Sequence, residues 1–230
     1  MHSGELSGKT SGNTLSDLIL GGQDGLVNVL SVILGVAAAS HNVKLVIAAA
    51  MAATFGESIS MAAVAYTSKA AERDRFKSEF EREKREVEEV PEKETQEIRE
   101  IYQSKGFKGK ILDDIVTHIT SDKELWLSQM MDEELHLKEV TQKEITTGSF
   151  IVGISALVGS FVPITPFFFA PIKDALWISL GVSILILFAA GIYKAKTTVG
   201  RPVKSGLQMV IIGMGAAFAG YLIGRLFGSL

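Results

Sequence analysis

Pairs of glutamates at helical spacing mark the middle of this chain as a place for cation chemistry. Glu86 and Glu89 are three residues apart, as are Glu94 and Glu97, so each pair projects from one face of its helix. Carboxylate oxygens arranged in this way suit hard or borderline divalent cations. A competing interpretation is a solvated acidic face balanced by Lys and Arg.

Two methionines stand close to a further glutamate of the same region. Met130, Met131 and Glu134 follow one another at spacings of one and three residues, which brings thioether sulfur beside a carboxylate on a helix. Sulfur favours softer transition metals such as Fe²⁺ over Ca²⁺ and Mg²⁺. Methionine is also a common filler of apolar cores, and that alternative stays open. The chain has no cysteine, so a thiolate site is excluded.

Acidic residues also interrupt two otherwise apolar segments. Asp24 is followed one helical turn later by Asn28, and Glu57 is followed one turn later by Met61. An ionisable group at bilayer depth costs roughly 2.5–3.5 kcal/mol, so it indicates a function. We expect Asp24, Glu57 and Met61 to form a translocation site at which a carboxylate exchanges a proton for a metal ion.

The charges of the chain are segregated along its length. Hydrophobic residues make up 47% of it, yet 21 of its 26 acidic and 15 of its 23 basic residues lie between Lys69 and Glu144. Such segregation separates a water-solvated part from lipid-solvated parts. No basic patch indicates a nucleic-acid partner.

Five segments are long and apolar enough to cross a bilayer, which takes about 20 residues. They are Leu15–Ala39, Leu45–Ser68, Ile145–Ile172, Ala175–Tyr193 and Ser205–Gly224. The third contains Pro163, so its helix is predicted to end near Phe161. The sequence therefore predicts an all-α membrane protein with five transmembrane helices and a three-helix metal-binding insert between the second and third spans.

The predicted division is a flexible tail at 1–14, two spans at 15–68, the insert at 69–144 and three spans at 145–230. The second span is expected to continue as a helix to Pro91, because residues 68–89 contain no glycine or proline. A second helix is expected at Glu92–Ser104. A third helical region is expected from about Lys110, with an N-cap at 121–122, through Thr141 into the third span.

Lysine and arginine predict the orientation, because they are enriched in cytoplasmic loops. The more basic side carries Lys9, Lys69, Arg73, Arg75, Lys138, Lys143, Lys194, Lys196, Arg201 and Lys204, and the other side carries Lys44, Lys173 and Arg225. The N-terminus and the insert are therefore expected in the cytoplasm. Gly220, Gly224 and Gly228 repeat every four residues and permit close helix packing, within one subunit or in a homodimer.

At these residues the sequence resembles the vacuolar iron transporter family. The resemblance rests on residues 24–27 (DGLV), 59–61 (ISM), 84–89 (KREVEE), 91–98 (PEKETQEI) and 126–135 (WLSQMMDEEL). It implies a homodimer with the pathway between subunits and exchange of Fe²⁺ for protons. The metal ligands that it implies are Glu86, Glu89, Glu94, Glu97, Glu134, Met130 and Met131, with Asp24 and Met61 on the translocation path.

The sequence departs from the family pattern at two places. The second-span glutamate of plant members aligns with Ala53, whereas the acid here is Glu57, one turn closer to Met61. The link between Glu89 and Pro91 is also shorter than in those members.

The leading hypothesis is an integral membrane transporter that moves ferrous iron, and also Mn²⁺ and related divalent metals, out of the cytosol in exchange for protons. It needs no prosthetic group. The host membrane would be the cell membrane in a prokaryote and the vacuolar membrane in a eukaryote. One alternative is a membrane-tethered, ferritin-like ferroxidase, because Glu133-x-x-His136 matches one step of a di-iron bundle. Another is a metal sensor that moves no ions.

Overall fold

The structure is a computed structural model that describes residues 5–40, 42–197 and 200–228, with side chains from residue 14 onward. The described residues form eight α-helices, a π-helical turn and a 3₁₀ turn. The α-helices are α1 (Glu5–Ser40), α2 (Val43–Glu89), α3 (Pro91–Ser104), α4 (Gly109–Thr120), α5 (Lys123–Gln129), α6 (Gln142–Ile164), α7 (Ile172–Thr197) and α8 (Pro202–Phe227). The π-helical turn is Met130–Glu134 and the 3₁₀ turn is Thr165–Phe168.

Five helical segments are long and apolar enough to cross a membrane. They are Thr14–Ser40, Val43–Glu89, Gln142–Phe168, Ile172–Thr197 and Pro202–Phe227. The prediction of an all-α membrane protein with five spans is confirmed. Helix α1 begins at Glu5, within the segment predicted as a flexible tail, and residues 1–4 of that segment lie outside the described residues.

The chain forms two compact units. The first combines Met1–Tyr66 with Thr146–Leu230, and the second is Thr67–Ile145. The first unit contains the bundle of apolar helices, in which α1 packs against α7 and α8. Its main core cluster is built around Val29, Ile33, Val46 and Ile164, all without exposed surface.

Close helix approach fixes the position of the acid on α1. Gly25 follows Asp24 directly, and a Cβ atom added to Gly25 would lie 2.2 Å from the carbonyl oxygen of Ala156 on α6. Only glycine fits at this distance. The close contact at Gly25 therefore packs α1 against α6 and fixes the backbone position of the neighbouring Asp24.

The second unit has its own apolar core, formed by the end of α2 together with α3, α4 and α5. The core residues are Val87, Ile98, Leu112, Val116, Ile119, Trp126, Leu127 and Met130. Helix α5 begins where the sequence predicts, because the Asp122 carboxylate accepts hydrogen bonds from the backbone N–H groups of Glu124 and Leu125.

The third helical region does not continue into the third span as predicted. It ends in the π-helical turn, and residues 135–141 are not helical; His136 has φ 52°. A new helix starts at Gln142 because Thr141 and Glu144 form a capping box: the Glu144 carboxylate accepts from the Thr141 N–H at 2.8 Å, and the Glu144 N–H donates to the Thr141 hydroxyl at 3.2 Å.

The helix of the third span is longer than predicted. It continues to Ile164, past the expected end at Phe161, and the 3₁₀ turn follows it. Pro163 lies in its last turn, and the Ser179 hydroxyl of α7 donates a hydrogen bond of 2.8 Å to its carbonyl oxygen. This bond satisfies one of the carbonyl groups that every helix end leaves without an intrahelical partner.

Candidate metal centre

Three glutamate side chains from different segments converge in the second unit. Glu83 lies on α2, Glu94 on α3, and Glu134 at the end of the π-helical turn; one carboxylate oxygen of each lies within 4.8 Å of the others. Glu83 is 1% exposed and Glu94 is fully buried, while Glu134 is exposed. Three carboxylates from three segments can surround a single cation from different sides.

The apolar core of the insert directs two of these carboxylates inward. Glu83 lies three residues after Phe80 and four before Val87, which places the three side chains on one face of α2. Val87 belongs to the core and Phe80 packs against it. Glu94 precedes Ile98 by one turn of α3, and Ile98 is also a core residue. Packing of the apolar neighbours therefore buries both acids.

Each buried carboxylate has one oxygen near a cation and one without a partner. Arg82 Nη2 lies 2.8 Å from Glu83 Oε1, and Lys93 Nζ lies 3.4 Å from Glu94 Oε1. The Oε2 atoms of Glu83 and Glu94 are buried and have no hydrogen-bond partner among the described residues. A buried carboxylate oxygen without a partner is costly, and a bound divalent cation would satisfy both oxygens together.

Burial also changes the affinity of these groups for protons. It raises the pKa of Glu83 to about 7, with a further contribution from the charge of Glu134, while Arg82 opposes the change. Burial likewise raises the pKa of Glu94, partial desolvation of the carboxyl group raises the pKa of Glu134 although the residue as a whole is exposed, and the negative charge of Glu97 adds to both. Metal binding at this centre would therefore compete with protons near neutral pH.

The other glutamates predicted as ligands take different positions. Glu97 is partly buried, and Lys93 Nζ lies 3.0 Å from its Oε1 atom. Glu86 is partly buried, and its charge acts on the carboxyl groups of Glu83 and Glu94. Glu89 is the last residue of α2 and is exposed. Glu86 and Glu97 thus lie around the three converging carboxylates, and Glu89 is not one of the three.

The predicted methionine ligands are both buried. Met130 has no exposed surface and belongs to the apolar core of the insert, and Met131 is 3% exposed. They open the π-helical turn that Glu134 closes. A π-helical turn frequently marks a functional site, and here it carries the third carboxylate.

Glu83 is the residue that the sequence reasoning missed. Glu83 and Glu86 have the same three-residue spacing as Glu86 and Glu89. Spacing alone therefore allows either of these two pairs to supply the metal ligands of α2. The apolar residues Phe80 and Val87 distinguish them, because they share the helix face of Glu83. That signal is present in the sequence and becomes decisive once the core is known.

In the first unit, Asp24 and Glu57 meet. The side chains of Asp24 on α1 and Glu57 on α2 are close enough to interact, and the Asn28 amide nitrogen donates a hydrogen bond to Glu57 Oε2. Asp24 is exposed, while Glu57 and Met61 are partly buried. Two neighbouring carboxyl groups offer oxygen ligands from two helices to one cation.

The Glu133-x-x-His136 sequence, which would favour a di-iron enzyme, does not contribute to the group of converging carboxylates. Glu133 forms an ion pair with Lys105. His136 Nδ1 lies 3.1 Å from the backbone oxygen of Asp132, and His136 is not part of the group of converging carboxylates. Among the described residues, the centre therefore offers oxygen ligands without the histidine of a ferritin-like site.

Comparison with known proteins gives a consistent result over almost the whole chain. The model of the VIT family matches residues 15–225. Vacuolar iron transporter 1 of Tulipa gesneriana is 30% identical over 217 residues, covering 94% of this chain and 88% of the relative. Vacuolar iron transporter 1 of Oryza sativa subsp. japonica is 32% identical over 213 residues, covering 92% and 84%. The vacuolar iron transporter of Plasmodium falciparum is 29% identical over 222 residues, covering 92% and 81%.

Proposed function

Because the chain belongs to the VIT family, we propose that it moves ferrous iron out of the cytosol in exchange for protons, with Mn²⁺ and related divalent metals as further substrates. Family membership makes the chain a multi-pass membrane protein that transports metal ions and not an enzyme. The ferrous state, the exchanged proton and the direction of transport are our proposals.

The observation that carries the proposal is the pair of buried, unpartnered carboxylate oxygens on Glu83 and Glu94, two residues whose carboxylates converge with that of Glu134. These atoms are ready to bind a divalent cation without rearranging a hydrogen-bond network. Glu86 and Glu97 add negative charge around them. In our proposal the insert lies in the cytoplasm and captures the metal there.

The second step uses the acidic pair of the spans. Asp24 and Glu57 are close enough to interact, and in our proposal a cation that binds both carboxylates displaces a proton from this pair. Met61, one turn after Glu57 on α2, offers a thioether that suits Fe²⁺ better than Mg²⁺ or Ca²⁺. Displacement of the proton by the metal is the chemical basis of the proposed exchange.

The exposure of Asp24 supports a homodimer. Asp24 lies within a helix that is apolar enough to span a membrane, yet its side chain is exposed on the single chain. A carboxyl group facing lipid is costly, and a second copy that covers this face would remove the cost. The pathway would then lie between the two subunits.

Uptake into proteoliposomes tests the proposal. We expect Fe²⁺ uptake under a pH gradient, reduced uptake when the gradient is collapsed, and a measured order among Fe²⁺, Mn²⁺, Co²⁺ and Zn²⁺. Asp24→Asn and Met61→Ala should abolish uptake, because each removes a ligand from the translocation site. Asp17→Asn, a change of another acid on α1, is the matched control and should retain uptake. Full uptake in both Asp24→Asn and Met61→Ala would reject this pathway.

A further inference from the structure

A groove of about 660 Å³ opens in the first unit where the C-terminal part of α1, the start of α7 and the end of α8 meet. Its lining is mainly apolar and includes Leu34, Leu176 and Leu180. Leu180 lies seven residues beyond Lys173 on α7, which corresponds to about 10 Å along the helix axis. The groove therefore extends from a helix end into the apolar length of the bundle.

Two cations line the same groove. Lys173 lies in the first turn of α7 and Arg225 in the last turn of α8. The Arg225 guanidinium donates a hydrogen bond of 3.3 Å to the Tyr221 hydroxyl, which lines the groove as well. Neither cation forms an ion pair with a carboxylate in the part of the chain that the structure describes. No acidic residue lines the groove.

We propose that this groove binds one anionic phospholipid, with an acyl chain along the leucines and the phosphate between Lys173 and Arg225. The apolar lining fits a hydrocarbon chain, and the two cations complement the negative head group. Trp177 and Tyr221 add aromatic rings of the kind that is enriched where membrane proteins meet lipid head groups. This inference does not depend on the transported ion.

Other occupants fit less well. A free phosphate ion would leave the apolar lining uncovered. A second copy of the chain joined by a two-fold axis at this groove would bring an identical pair of cations to the same place. An anionic phospholipid satisfies the apolar wall and the charges together.

Quenching of tryptophan fluorescence by brominated lipids measures occupancy directly, because the exposed Trp177 lines the groove and the other tryptophan, Trp126, is buried in the core of the insert. The full chain is reconstituted in phosphatidylcholine and titrated with brominated phosphatidylglycerol or brominated phosphatidylcholine of the same chain length. We expect the anionic lipid to bind about thirtyfold more tightly, from about 1 kcal/mol for each of two cations.

The variant Lys173→Gln with Arg225→Gln should lose this preference. Lys44→Gln, which removes a cation from the first turn of α2 and does not line the groove, should keep it. Ala38→Phe leaves both cations in place, fills the groove and should reduce quenching by the anionic lipid. Ala38→Phe keeps the test valid if the double variant does not fold.

Four results would overturn the proposal. One is equal binding of the two lipids to the unmodified protein. Another is an anionic preference that survives both the double variant and Ala38→Phe. The third is complete displacement of the lipid by water-soluble glycerol phosphate, which would assign the cations to a free phosphate. Quenching that disappears on dimer formation would assign the groove to a second copy and would also reject it.

Discussion

At the scale of single residues, Glu83 gives the most specific test of metal binding at the centre in the insert. It is buried by its apolar neighbours on α2, and its Oε2 atom has no partner. Replacement by Gln keeps the size of the side chain and removes the charge. We predict that Glu83→Gln weakens Fe²⁺ binding to the full chain in detergent by at least tenfold. Loss of a residue that only supports a metal ligand already weakens binding by about tenfold or more, and loss of a ligand should cost at least as much.

Calorimetry under anaerobic conditions measures this affinity. Glu89→Gln is the matched control, because Glu89 lies six residues further along the same helix and is exposed. We expect nearly unchanged binding in that variant. Weaker Fe²⁺ binding in Glu89→Gln than in Glu83→Gln would instead indicate that Glu86 and Glu89 are the ligand pair.

The raised pKa of Glu83 predicts a pH dependence of stability in the absence of metal. Below pH 4.5, its usual pKa, Glu83 is protonated in both the folded and the unfolded state. Between 4.5 and about 7 only the folded state keeps the proton, so the contribution of Glu83 to the free energy of unfolding falls as the pH rises and is lost above about 7. Glu94 and Glu134 act in the same direction.

We therefore expect the thermal midpoint of the metal-free protein to fall between pH 5 and 7.5, and to fall less in Glu83→Gln. Added Fe²⁺ should restore the midpoint at the higher pH, because the metal replaces the lost protons. An identical pH profile in the protein and the variant would show that Glu83 ionises normally.

At the scale of elements, the apolar runs predict the five spans well, because burial in lipid needs length and hydrophobicity that few other structures require. Helix ends depend on finer signals. Asp122 is recognised as an N-cap from its type and position, and the structure agrees. The capping box of Thr141 and Glu144 is equally visible in the sequence, yet our prediction continues the helix through it.

The packing of helices against each other is the part that the sequence leaves open. Gly220 and Gly224 are compatible with contacts inside one subunit or between two. The structure uses them within the subunit: a Cβ atom on Gly220 would lie 2.4 Å from the carbonyl oxygen of Ser31, and one on Gly224 would lie 1.9 Å from that of Gly35. The spacing specifies close approach, and only the tertiary structure identifies α1 as the partner of α8.

Gly220→Ala should therefore destabilise the bundle by about 1–3 kcal/mol, the usual cost of overpacking. Gly215→Ala on the same helix is the matched control, since nothing lies within 4 Å of its added Cβ atom. Thermal unfolding in detergent should show a lower midpoint for the first variant and an unchanged or higher midpoint for the second. Equal midpoints would mean that α1 and α8 separate easily at Gly220.

At the scale of the whole molecule, the chain combines two kinds of acidic site. The insert offers three converging carboxylates, two of which have a buried oxygen without a hydrogen-bond partner among the described residues, and the spans offer two neighbouring carboxyl groups. The first arrangement suits capture of a cation, and the second suits its exchange for a proton. If the sites act in this order, their loss should change different kinetic parameters of transport.

We predict that Glu83→Gln raises the Fe²⁺ concentration needed for half-maximal uptake and leaves the maximal rate largely intact, because saturating metal can reach the spans without prior capture. Asp24→Asn should abolish uptake at every Fe²⁺ concentration, because it removes a carboxylate from the proposed translocation site. Initial rates in proteoliposomes over a range of Fe²⁺ concentrations separate the two effects, with Glu89→Gln and Asp17→Asn as controls. A loss of maximal rate in Glu83→Gln equal to that in Asp24→Asn would mean that every transported ion must pass through the insert, and capture and translocation would then be one obligatory sequence.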